Sequence, residues 1–106
     1  MVWLLLFMAG IMEIGWPLGF KLAGLYPKHF TLYIFFAVIS MGLSGYLLYI
    51  AQKSISIGTA YVIWTGIGAI GTVIIGILFF HDSTNLFRLM FVTLILIGVV
   101  GLKLVH

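Results

Sequence analysis

Charged positions divide the chain into apolar runs of membrane-crossing length. Val2–Phe20 is broken only by Glu13, and Phe30–Gln52 carries no charge. Ile55–Phe80 is longer and also uncharged. Leu86–Val105 has Arg88 and Lys103 near its ends, where long basic side chains reach back to the headgroups. About 20 mostly apolar residues cross a bilayer as a helix. The pattern therefore predicts an all-α integral membrane protein of four transmembrane helices, one domain over residues 1–106. The connections Lys21–His29, Lys53–Ser54 and His81–Asn85 are too short to hold a domain outside the membrane. The N-terminal run lacks a basic start and contains Glu13, so it reads as the first membrane helix rather than a secretion signal.

Composition agrees with this pattern. The chain is 64% hydrophobic and 7% charged, against roughly a quarter charged in a soluble domain. So short a chain cannot hide that much apolar surface from water, and the surplus faces lipid. Its net charge of +3 is spread too thinly for a nucleic-acid interface. Cysteine is absent, and His29, His81 and His106 lack the spacing of a metal site. No nucleophile–base pair or phosphate loop points to an enzyme or a cofactor, and His81-Asp82 reads as a solvated connection.

Glu13 carries the chemistry. At 1.5 Å per residue it lies roughly 16 Å from the start of the first helix, near the bilayer midplane. An acidic side chain at that depth costs a few kcal/mol. No basic residue lies at comparable depth in any helix, so its natural partners are a proton or a cation from outside. One excludes the other, and that exclusion can couple proton movement to cation movement.

Residues three and four away on a helix share its face, here Ala9, Gly10, Trp16 and Pro17. Ala9 and Gly10 leave room for a ligand or a second helix. Trp16 offers an indole N–H to the carboxylate and a π face to a cation. Trp3 reads as an interfacial anchor. Pro17 removes the hydrogen bond to the carbonyl of Glu13 itself, which predicts a kink beside the carboxylate. Tyr61, Trp64 and Thr65 form an aromatic and hydroxyl stripe on the third helix. Ser44 is a polar group in the apolar second helix, able to donate to Glu13. Gly66, Gly68 and Gly71 are denser than packing requires and read as a candidate flexible point, whereas Gly98 and Gly101 read as packing.

The even helix count puts both termini on one side. Lys53, Lys103 and the N-terminal amine lie there, with Lys21, Lys28 and Arg88 opposite. Two basic side chains against three give little orientation signal. Four short helices are also too few to enclose a path, so the expectation is a dimer of oppositely oriented subunits.

The segment Ala9-Gly10-Ile11-Met12-Glu13-Ile14-Gly15-Trp16, followed by Lys21, resembles the first helix of the small multidrug resistance family. GTAYVIWTGIGAIG at 58–71 and GVVGLK at 98–103 resemble its third and fourth helices. Trp16 and the WTGIGA run resemble the guanidinium-exporting branch. The resemblance implies an antiparallel dimer with a shared central site, in a prokaryotic inner membrane, exchanging protons for small organic cations of the guanidinium class. It assigns the central carboxylate to Glu13, the residues that orient it to Trp16 and Ser44, the pocket aromatics to Tyr61 and Trp64, and the small position one turn before the carboxylate to Gly10. The chain departs from the family pattern at Pro17, at a slightly longer first loop, at Ser56 and at His81-Asp82. It departs also at Gly42 and Gly45, which thin the second-helix wall. That thinning favours, as alternatives, a promiscuous exporter of quaternary ammonium or other lipophilic cations. A subunit of a heterodimer and a non-transporting membrane subunit are further alternatives.

Overall fold

The structure is a computed structural model that describes residues 2–105. The N-terminal amine and His106 lie outside the described residues. Five α-helices follow in order: α1 (Val2–Glu13), α2 (Gly15–Leu25), α3 (Phe30–Ala51), α4 (Ile57–Phe79) and α5 (Leu86–Val105). α1 and α2 run on as one span, so four stretches are long and apolar enough to cross a membrane: Val2–Leu25, Pro27–Ala51, Ile57–Phe79 and Leu86–Val105.

The first span outlasts its expected end at Phe20. Lys21 is no stop signal, because its stem continues the helix while its ammonium sits 5.8 Å from the centroid of the Phe80 ring. The helix ends where Pro27 excludes the α conformation from the residue before it. Tyr26 accordingly has φ −126° and ψ 76°, and a single 3-10 turn over Pro27–His29 leads into α3. The first loop is therefore shorter than its polar residues suggest.

The first span is interrupted beside the carboxylate, as the proline predicts. Pro17 has no N–H to give the Glu13 carbonyl, and its ring crowds that oxygen. The helix breaks at Ile14, whose N–H turns to the Ile11 carbonyl at 3.2 Å instead of reaching one residue further back. Helical bonding resumes with Leu18 N–H to Ile14 O at 3.1 Å. Ile14 keeps helical dihedrals, φ −68° and ψ −29°, so the bonding is interrupted while the chain runs on. α1 packs against both α3 and α4, whereas α2 packs against α3. A groove is left between α2 and α4.

Small residues set these contacts, because helices in lipid associate through close packing rather than through expulsion of water. A methyl built on Gly10 would lie 2.7 Å from Ile67 Cβ, and one on Gly19 would lie 2.9 Å from the Tyr33 carbonyl. Ala9, Ala37, Ala51 and Ala60 are fully buried. The main apolar cluster joins Leu6, Ala51, Ile55, Ala60, Ile63 and Val99. Nearby, Lys103 Nζ of the last span stands 5.4 Å from the Trp3 ring centroid of the first. Trp3 thus packs against this cluster as well as sitting near the helix start. α5 is the least enclosed, Val99 being its one buried residue among those described. The outer faces, including Phe35, Ile97 and Leu104, are exposed apolar surface suited to lipid.

The cause assigned to the break can be tested with cysteines, which the chain lacks. Leu18→Cys and Ile75→Cys place thiols on opposite walls of the groove. Adding Pro17→Ala restores an N–H for the Glu13 carbonyl, straightens the span and raises short-linker cross-linking several-fold. An unchanged yield would mean that Pro17 does not hold α2 away from α4.

Candidate functional site

Glu13 is the last residue of α1 and Trp16 the second of α2, so the break lies between them. The indole Nε1–H of Trp16 donates to Glu13 Oε1 at 2.6 Å, bridging the interruption. The Trp16 ring is held edge-on to Phe20, with centroids 5.7 Å apart. Across the groove, α4 presents Gly68 to Glu13. A methyl there would sit 2.7 Å from Glu13 Cγ, so the missing side chain is what lets the carboxylate lie against α4.

Glu13, Trp16 and Pro17 form one wall of a cavity of about 290 Å³; Thr65, Gly68, Ala69 and Thr72 form the other. Among the described residues the one salt bridge is that of Arg88 with Asp82, so Glu13 has no internal cation. Nor do three His, Asp or Glu side chains gather there into a metal-holding group. The cavity therefore offers one carboxylate, an indole and two hydroxyl-bearing side chains to a small cation.

Ser44 is placed differently from its expected role. Its hydroxyl donates to the Ala9 carbonyl at 2.7 Å and accepts from Trp64 Nε1 at 2.8 Å, rather than donating to Glu13. It is fully buried and ties α1, α3 and α4 together one turn before the carboxylate. The reason is rotational: Ser44 faces the helix backbone at Ala9, whereas Glu13 faces α4. Trp64 belongs to this strut. Tyr61 leans at a tilt against Trp64, with centroids 5.6 Å apart, but is more than half exposed and does not line the cavity. Thr65, from the same stripe, does line it. Gly10 makes room for Ile67 of α4 rather than for a ligand. α4 runs unbroken through Gly66, Gly68 and Gly71, which receive Val99, Glu13 and Ile14 respectively.

Thr72 was not singled out from the sequence. Its signal was its register, since it lies two helical turns after Thr65 on the same face. Its hydroxyl donates to the Gly68 carbonyl at 2.7 Å.

The profile of the small multidrug resistance proteins matches residues 1–95. The chain belongs to the small multidrug resistance family. It is thus a multi-pass inner-membrane transport protein and not an enzyme. Similar proteins include one named guanidinium exporter in Proteus vulgaris, 44% identical over 110 residues covering 98% of both chains. Proteins of that name in Yersinia pseudotuberculosis and Escherichia coli K12 are 43% and 42% identical over 108 residues. They cover 98% of this chain and 98% and 97% of their own.

The strut at Ser44 makes a stability prediction for this member of the family. Ser44→Ala leaves the Trp64 N–H without its acceptor and costs about 1 kcal/mol, the scale of interhelical hydrogen bonds in membranes. Trp64→Phe costs a similar amount, and the double variant costs less than the sum of the two, because the bond between them is lost only once. Unfolding in mixed micelles reads these values. Simple additivity would mean the two side chains do not act as a pair.

Proposed function

We propose that this chain exports guanidinium-type cations from the cytoplasm in exchange for protons, as an antiparallel dimer with two Glu13 carboxylates at one central site. The observation that carries the reading is Glu13 itself. It is a carboxylate in mid-span, without a cation of its own, facing a cavity that it shares with Trp16, Thr65 and Thr72. The similar proteins named guanidinium exporter lend it their substrate class.

The chemistry follows from the side chains. A planar guanidinium presents paired N–H groups to the two oxygens of a carboxylate. The Trp16 N–H bonds one oxygen of the Glu13 carboxylate, and Glu13 lines the cavity. A proton on the carboxylate removes the charge that holds the cation, and a bound cation leaves no reason to hold a proton. Each therefore releases the other. Two oppositely oriented copies need only exchange conformations to open the shared site to either face.

Proteoliposomes with an imposed pH gradient test the reading. Guanidinium moves against the proton flow with the native chain, and Glu13→Gln inserts but abolishes coupled movement, because the amide holds neither proton nor cation. Transport of bulky quaternary ammonium ions without guanidinium would replace this reading with the promiscuous-exporter alternative. That alternative draws on Gly42 and Gly45, whose open space lies on the exposed face of α3 and not in the wall of the Glu13 cavity.

Topology is tested separately. His29 is exposed at the 3-10 turn. His29→Cys labels from both sides of the membrane in comparable amounts if single chains insert both ways up. Labelling from one side only, in a chain that transports when expressed alone, would rule out the antiparallel homodimer.

A further inference from the structure

The chain has two acidic residues, Glu13 and Asp82, and the fold puts both on one groove. The cavity at Glu13 is continued by a second of about 230 Å³, and the two share Pro17 and Thr72 in their walls. The outer cavity is bordered by Lys21, Gly76, Phe80 and Asp82. His81-Asp82 is an exposed connection, and its backbone also returns Asp82 to the helix it has just left. His81 adopts a left-handed φ of 58°, and the Asp82 N–H turns back to the Gly76 carbonyl at 3.1 Å. A side chain on Gly76 would run into the Asp82 carboxylate. Three residues thus combine to fold this carboxylate over the end of α4.

The partner of Asp82 is Arg88, with Nη2 3.6 Å from Oδ2. Another Arg88 nitrogen donates to the Ser83 carbonyl. The pair is long and partly exposed, at 34% and 44% for the two side chains, and such pairs are weak. Lys21, the other charge at this cavity, stands on the α2 wall over the Phe80 ring.

We propose that Asp82 is a second cation-binding station at the mouth of the groove, where a guanidinium substrate displaces the side-chain guanidinium of Arg88 on its way to or from Glu13. The inference rests on the guanidinium reading above. Arg88 carries the same charged group as that substrate, tethered to the protein. It keeps Asp82 compensated when no cation is present. A free guanidinium can meet both carboxylate oxygens in one plane, which the single long contact of Arg88 does not. Between the two carboxylates stands Thr72, whose hydroxyl oxygen has a lone pair for a passing cation.

The test is a pair of variants with opposite expected signs, read as KM and maximal rate of guanidinium uptake in proteoliposomes. Asp82→Asn keeps the backbone bond to Gly76 and removes the charge, raising KM about threefold, the scale of one exposed ion pair. Arg88→Gln removes the tethered competitor and lowers KM by about the same factor. Asp82→Glu retains most of the native KM. A merely structural ion pair would make Asp82→Asn and Arg88→Gln change transport in the same direction, and that result overturns the proposal. If Asp82→Asn fails to insert, the sign of the Arg88→Gln shift decides alone. Native transport with KM unmoved by either variant overturns this inference and leaves the guanidinium reading standing. A native chain that moves no guanidinium overturns both.

Discussion

One absent N–H organises the first span and, through it, the site. Pro17 cannot bond the carbonyl four residues back, and that carbonyl belongs to Glu13. The helix breaks at Ile14, α1 stays against α4, and α2 departs along α3. The space between α2 and α4 becomes a groove, with Glu13 at the point of divergence. The costly carboxylate and the costly proline are therefore parts of one arrangement. The Trp16 indole bridges the break and holds the side chain that the break exposes.

The rest of the bundle is built so that this opening does not unravel it. Ser44 gathers three helices through the Ala9 carbonyl and the Trp64 indole, just on the closed side of the break. Gly10 and Gly19 press α1 and α2 onto their neighbours on either side of it. Packing in lipid depends on such close approach, since apolar surface gains little by leaving hydrocarbon. The small residues concentrate accordingly where rigidity is needed, and α4 remains a continuous rod through its glycines.

Much of this was legible in the sequence because the signals are local. Runs of apolar residues mark four spans, Pro17 marks the interruption of helical bonding beside Glu13, and the spacing of Glu13 and Trp16 suits their hydrogen bond. What failed depends on tertiary rotation or on single backbone angles. Lys21 looked like a boundary because charge usually marks one, but a lysine near a membrane surface continues a helix until a stronger signal, here Pro27, ends it. Ser44 looked like a partner of Glu13 because both are polar in apolar helices. Which way each faces is set by how α1 and α3 roll against each other, and no spacing within one helix encodes that. The solvated connection at His81-Asp82 is exposed as expected, but nothing in the neighbouring residues announces a left-handed His81 or the return of Asp82 to Gly76.

The groove leads back to the question of a second chain. A carboxylate at mid-depth is tolerable in a bilayer when it faces protein or water rather than acyl chains. In one copy, α2 and α4 wall Glu13 on two sides, while α5 lies against α4 and buries little besides Val99. A single chain thus has a polar groove without a full enclosure and a fourth helix without a full interface. The antiparallel dimer proposed above would meet both needs with one partner. Its second copy would supply the missing wall, bring a second carboxylate to the same depth and give the exposed face of α5 an occupant. The weak charge asymmetry of the loops would then have a physical role, letting one sequence furnish both orientations that such a closure requires.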